Sequence, residues 1–180
     1  MSTSKWKITS KRNIGNFKIF DIKELKAISP RTQRELPYYL LECSDWVNII
    51  PITRNNEIIM VEQYRFGTSK IELEIPGGMI EEGEDPESAA LRELREETGY
   101  VGSNPKYLGY VDPNPAFHTN KCHMFLVEEC YYDGEPNLDP GEDISVKKIK
   151  RIDVKKLIRD GTIRHSLVVC AFNFLELNTE

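Results

Sequence analysis

Short runs of apolar, aromatic and β-branched residues fill positions 6–43, broken by Asn13, Gly15, Asn16 and Pro30, and they predict a small β-rich unit. Residues 47–53 and 57–64 are two strongly β-prone runs flanking Asn55 and Asn56, the signature of a hairpin. Their nearly continuous apolar character predicts burial on both faces. A short strand at 71–75 is stopped by Pro76, Gly77 and Gly78, after which the chain makes a glycine-permitted loop. Asp85 is a good N-cap, Pro86 suits the first helical position and Gly99 suits the C′ position, so a helix is predicted over 86–98. Its apolar stripe is Ala90, Leu91, Leu94 and the methyl of Thr98. Further strands are expected at 107–111, 121–128 and 144–149, with a polar loop over 133–143. The C-terminal part reads as a short helix from Val154 ending at Gly161, then an amphipathic helix over 165–177.

A length of 180 residues suits one main domain with a small appended unit. No apolar run approaches the roughly 18 residues needed to cross a bilayer, and the polar N-terminus has no apolar stretch of the signal-peptide kind. A soluble, cytoplasmic protein with no membrane association is expected. Cys43, Cys122, Cys130 and Cys170 form no CxxC pair, so buried free thiols fit better than zinc or disulfides. The net charge of −5 disfavours a nucleic-acid interface. A small anionic substrate stays open, because a bound cation reverses the potential of an acidic pocket.

Glu93 and Glu97 stand at i,i+4 on the 86–98 helix, with Glu96 beside them, so three carboxylates share one flank. They crowd its C-terminal half, where the macrodipole disfavours each negative charge by roughly 0.3–1 kcal/mol. A solvated acidic face, partly neutralised by Arg92 and Arg95, would also account for them. The loop at Gly77 and Gly78 returns the backbone toward the helix and adds a carbonyl to these carboxylates. That oxygen set is what Mg²⁺ or Mn²⁺ accepts while keeping waters for substrate phosphates.

From Gly78 the chain reads Gly, five residues, Glu84, seven residues, Arg92, Glu93, Leu94, one residue, Glu96, Glu97, one residue, Gly99, Tyr100. This resembles the Nudix box, with Tyr100 in place of the usual aliphatic residue. The resemblance implies an α/β/α sandwich around a mixed sheet, in a domain spanning 45–180, preceded by a small N-terminal antiparallel β unit over 1–44. It also implies hydrolysis of a nucleoside diphosphate linked to another group. Carried over by position, Glu93, Glu96 and Glu97 would be metal ligands joined by the carbonyl of Gly77, with Glu93 and Glu97 central to catalysis. Arg92 would pair with Glu84 to hold the loop on the helix.

The runs 61–67 and 73–78, and Pro115, resemble the ADP-ribose and nucleoside-diphosphate-sugar pyrophosphatases. That resemblance implies cleavage of the pyrophosphate to a nucleoside monophosphate and a sugar phosphate. Arg65 reads either as a surface charge or as a phosphate ligand, for which its planar fork is suited. Trp46 suits the core or a stacking face for a base; Glu74 suits a strand edge or the substrate site, where Pro115 is also expected. Glu142 is either an exposed loop acid or the general base that metal-bound carboxylates cannot be. His118, His123 and His165 read as structural or peripheral. Related enzymes form dimers in which the N-terminal β unit helps complete the partner's site, so a homodimer acting on a small nucleotide sugar is expected. A Nudix hydrolase for another nucleotide and a non-catalytic regulatory module are the alternatives.

Overall fold

The apolar runs become strands whose two faces are covered differently, and the computed structural model describes this for residues 4–178. The chain forms two compact units. The first holds the chain up to Ser44 together with Asp112–Lys121; the second holds Asp45–Val111 and the chain from Cys122 onward.

In the first unit β1 (Lys7–Asn16), β2 (Asp21–Ile28) and β3 (Glu35–Glu42) form an antiparallel sheet in that order. Leu41 donates to the Phe117 carbonyl at 2.8 Å and accepts from the Thr119 N–H at 3.2 Å, which ties in the 112–121 segment. Leu25 and Ala27 are buried, but Ile8, Ile14, Phe17, Ile19, Leu36 and Tyr39 are exposed.

The second unit is built on one mixed sheet. Its strands are β4 (Trp46–Thr53), β5 (Glu57–Arg65), β6 (Lys70–Glu74), β7 (Gly77–Met79), β8 (Tyr100–Val101), β9 (Lys106–Val111), β10 (Cys122–Tyr132) and β11 (Ile144–Lys150). The central order is β11-β5-β4-β10-β8, with β4 and β10 parallel and the other pairs antiparallel. Side chains alternate across it. Ile50, Ile52, Ile58, Met60, Met124 and Leu126 pack under α2 (Val154–Arg159) and α3 (Ser166–Leu177). Val47, Ile49, Ile59, Phe125 and Val127 pack under α1 (Pro86–Thr98). Helices thus cover both faces, giving the α/β/α sandwich that the family resemblance implied and the two-sided burial that the long apolar runs predicted. No helix among the described residues is long and apolar enough to cross a membrane.

Three departures from the sequence reading matter for the site. The predicted hairpin is joined at one register pair, Ile52 opposite Ile58, beyond which β4 and β5 part company. β6 pairs with β5, and the chain then crosses through Ile75 and Pro76 to pair with β4 as β7. Gly77 and Gly78, read as the end of a strand, are therefore themselves a strand, because β4 offers them an open edge. Second, the buried face of α1 comprises Ala89, Ala90, Glu93, Leu94, Glu97 and Thr98, with Leu91 only half-buried. Glu93 and Glu97, which the hydrophobic stripe leaves out, share this face with Ala90, Leu94 and Thr98. Third, β10 runs on to Tyr132 past the predicted end at Glu128. A register shift between Val127 and Cys130, with Glu129 at φ 56°, interrupts the alternation by which the sequence marks a strand.

Candidate active site

Helix α1 has both ends fixed by sequence. The Asp85 carboxylate accepts from the Glu87 and Ser88 N–H groups at 3.1 Å, and Gly99, at φ 71°, donates its N–H to the Arg95 carbonyl. With the ends set, the rotation of the helix is set, and Glu93 and Glu97 turn toward β7. Glu97 is 4% exposed and its Oε2 accepts from the Gly77 N–H at 2.9 Å. A Cβ on Gly77 would run into the Val47 carbonyl, fixed backbone of β4, so only glycine lets β7 lie this close to β4, and a Cβ on Gly78 would displace the Glu93 carboxylate.

Arg92 organises the remaining acids. Its Nε and Nη2 donate to the two oxygens of Glu84 at 2.9 and 2.8 Å, and Nη2 also donates to the Met79 carbonyl at 3.0 Å. Nη1 donates to Glu93 Oε1 at 2.8 Å and Glu96 Oε2 at 3.0 Å. The loop between β7 and α1 is thereby locked to the helix. Glu96 is the most exposed of the three glutamates.

Arg65, at the end of β5, forks onto Glu74 of β6: Nε donates to Oε1 at 2.9 Å and Nη2 to Oε2 at 2.8 Å. Glu74 is 3% exposed and Arg65 supplies its counter-charge. Arg65 also interacts electrostatically with Glu97 and Glu142, which places all three around one site. Glu142 lies on the 133–143 loop, where its Oε2 accepts from the Asp139 N–H at 2.9 Å. The loop is moored to the C-terminal end of α1. The Asp133 N–H donates to the Gly99 carbonyl at 2.9 Å, the Asn137 N–H to the Glu96 carbonyl at 2.8 Å, and Arg95 Nη1 to the Glu135 carbonyl at 3.0 Å.

The charges do not balance. Glu74, Glu84, Glu93, Glu96, Glu97 and Glu142 face two guanidiniums, Arg65 and Arg92. Burial pushes the Glu97 carboxyl up to about 8; the charges of Glu93 and Glu142 add to this, against the Gly77 N–H and Arg65. Burial also raises Glu93, against the pull of Arg92. Hard carboxylate oxygens held at this cost suit a small divalent cation. Among the described residues, no three acidic, histidine or cysteine side chains already converge into a metal cage. Glu93 and Glu96 are turned onto Arg92, so binding an ion would require them to swing.

Trp46 opens β4 opposite Met79 and Cys122 and packs against the core beneath α2 and α3, on the sheet face away from α1. Pro115 belongs to the first unit, in a turn where Asn114 accepts from the Phe117 and His118 N–H groups. The sequence reading missed Glu72, which is 4% exposed and shares a face of β6 with Glu74, and its partner Arg164. The period of two along β6 was the available signal for Glu72.

The model of the NUDIX domain matches residues 45–172. The chain belongs to the Nudix family. It is 33% identical over 132 residues to the ADP-ribose pyrophosphatase of Bacillus subtilis, covering 73% of this chain and 71% of that protein. Over the same length and coverage it is 35% identical to the methanol dehydrogenase activator of Bacillus methanolicus. A crystal structure of an ADP compounds hydrolase superposes with a TM-score of 0.84 at 21% identity, covering 98% of this chain and 95% of that one, a likeness of fold. Membership makes the chain a pyrophosphohydrolase, and Nudix hydrolases generally use divalent metal ions.

Proposed function

We propose that this Nudix enzyme hydrolyses the pyrophosphate bond of ADP-ribose or a nucleoside diphosphate sugar, using Mg²⁺ or Mn²⁺, to give a nucleoside monophosphate and a sugar phosphate. The observation that carries the reading is the buried pair Glu93 and Glu97 grouped with Glu142 and Arg65. Glu93, Glu96, Glu97 and the Gly77 carbonyl would hold the ion. The chemistry it supplies is charge neutralisation of the diphosphate and acidification of the attacking water. Arg65, held flat by Glu74, keeps N–H donors for a phosphate oxygen. Arg92 and Glu84 fix the β7–α1 loop. Glu142 exchanges its contact with Asp139 for the water and takes its proton, as its half-buried position on the 133–143 loop allows. The relatives named for ADP-ribose support this substrate class.

A homodimer built through the first unit, residues 1–44, is part of the proposal, supported by the large apolar side chains that β1, β3 and the β1–β2 turn expose. Because one relative is named as an activator of another enzyme, a regulatory module is the second reading. Incubation of the purified protein with ADP-ribose, nucleoside diphosphate sugars and dinucleoside polyphosphates, with Mg²⁺ or with EDTA, separates them. AMP and ribose 5-phosphate should appear with metal alone; nucleotide binding without turnover would leave the regulatory reading standing.

A further inference from the structure

Beta strand β6 presents two buried carboxylates from one face, and each is met by an arginine. Glu74 has Arg65; Glu72 has Arg164, whose Nε donates to Oε2 at 3.1 Å and Nη2 to Oε1 at 3.3 Å. A cavity of about 150 Å³ is lined by Arg65, Thr68, Glu72, Arg164 and His165. Among the polar groups of its wall, the guanidinium donors of Arg65 and Arg164 outnumber the acceptors, which are the Glu72 carboxylate and the Thr68 hydroxyl. A guanidinium carries five N–H groups, and each fork uses two of them. The Nδ1 atom of His165 is buried and has no hydrogen-bond partner among the described residues. His165 sits at the N-cap of α3, yet its side chain makes no capping bond there. The carboxylate on the wall is Glu72, and Arg164 already engages both its oxygens.

Glu74 and Glu72 already meet the charges of Arg65 and Arg164, so a ligand that completes this cavity is recognised by the N–H groups the two forks leave unused and must bring acceptors. We infer that it is an oxyanion subsite, for a phosphoryl or carboxylate group, in which Arg164 and His165 bind the anion beside Arg65. Its volume is about five waters at ~30 Å³ each and falls below the ~300 Å³ of a small-molecule pocket. It therefore takes one such group and excludes a nucleoside. Arg65 belongs to both places, since it lines the cavity and interacts with Glu97. A substrate with its diphosphate on Arg65 would point its distal end here, so the anion is either a charged group on the distal sugar or free phosphate acting as an effector. The choice of source rests on the proposed function; the subsite itself does not.

Inorganic phosphate titrated into metal-free protein labelled with ¹⁵N-histidine reads the subsite without turnover. The His165 imidazole signal should shift saturably while those of His118 and His123 stay in place. His165→Ala and the charge-balanced pair Glu72→Gln/Arg164→Gln should weaken binding at least tenfold by calorimetry. No shift at His165, equal shifts at all three histidines, or unchanged affinity in both variants would overturn the subsite. In turnover, a substrate-borne anion predicts that kcat/KM for ADP-ribose phosphorylated on its distal ribose exceeds that for ADP-ribose about tenfold, and that His165→Ala removes the preference. Saturable phosphate binding without any preference supports the subsite and identifies the free anion. Absence of turnover on every substrate refutes the proposed function while leaving the phosphate titration decisive.

Discussion

Replacing Glu97 by glutamine should stabilise the metal-free protein and disable the enzyme. Glu97 is 4% exposed, and its carboxyl is pushed from 4.5 up to about 8. Between those values the unfolded chain has lost this proton and the folded chain keeps it. The folded state therefore binds more protons, and stability falls as pH rises, by about 1.4 kcal/mol per unit. Across the window the loss comes to about 3–5 kcal/mol. Glutamine keeps an oxygen for the Gly77 N–H and has no proton to lose, so Glu97→Gln is exempt. Urea unfolding in EDTA, followed by tryptophan fluorescence at pH 4.5 and pH 8, gives the difference between variant and wild type at each pH, in which the other titrating groups cancel. That difference should move in favour of the variant by the stated amount. With saturating Mg²⁺ the sign should reverse, since the bound ion turns the same charge to advantage, and turnover should drop by orders of magnitude. A difference independent of pH would refute the burial argument; near-normal turnover would refute the catalytic role.

For Glu142→Gln the expected outcome is a loss in kcat of about 10²–10⁴ with KM changed little, measured by steady-state kinetics; a change confined to KM would assign it to binding. Gly77→Ala drives a Cβ into the Val47 carbonyl, which is fixed backbone, and should cost about 1–3 kcal/mol in chemical denaturation and abolish most turnover. A fully active Gly77→Ala would show that β7 and β4 need not approach so closely. Asp85→Ala removes the cap that accepts from Glu87 and Ser88, and should cost about 1 kcal/mol by urea unfolding.

Helix α1 was legible because its signals are local: a carboxylate at the N-cap, proline after it, glycine past the end. All three lie where the structure puts the helix boundaries. Two-sided burial of β4 and the first half of β5 was legible too, from the unbroken apolar runs there, while the sandwich came from the resemblance to the family. What escaped depended on partners distant in sequence. β7 is a strand because β4 exposes an edge to it, which nothing in Gly77–Met79 announces. Likewise Arg164 and Glu72, 92 residues apart, become one unit through the packing of α3's N-terminal end near β6.

The acidic residues divide by what neutralises them, and the division explains why the box alone says little about substrate. Glu72, Glu74 and Glu84 each face an arginine through two hydrogen bonds, so their charges are settled within the chain. Glu97 has a backbone N–H and no comparable partner, and burial raises it accordingly. The proposed function gives the unsettled carboxylate to the reaction, because charge left uncompensated in a buried place can be balanced by a cation from outside. In the proposed function Glu72 and Glu74 serve recognition by a different route: each holds its guanidinium flat and leaves N–H groups that the fork does not use, whereas Arg92 spends its other donors on Glu93, Glu96 and the Met79 carbonyl. Substrate preference should accordingly follow Arg65 and Arg164 rather than the acids of α1. Exchanging either arginine for lysine keeps the charge and loses the fork, and should change which diphosphate is chosen more than how fast it is cleaved.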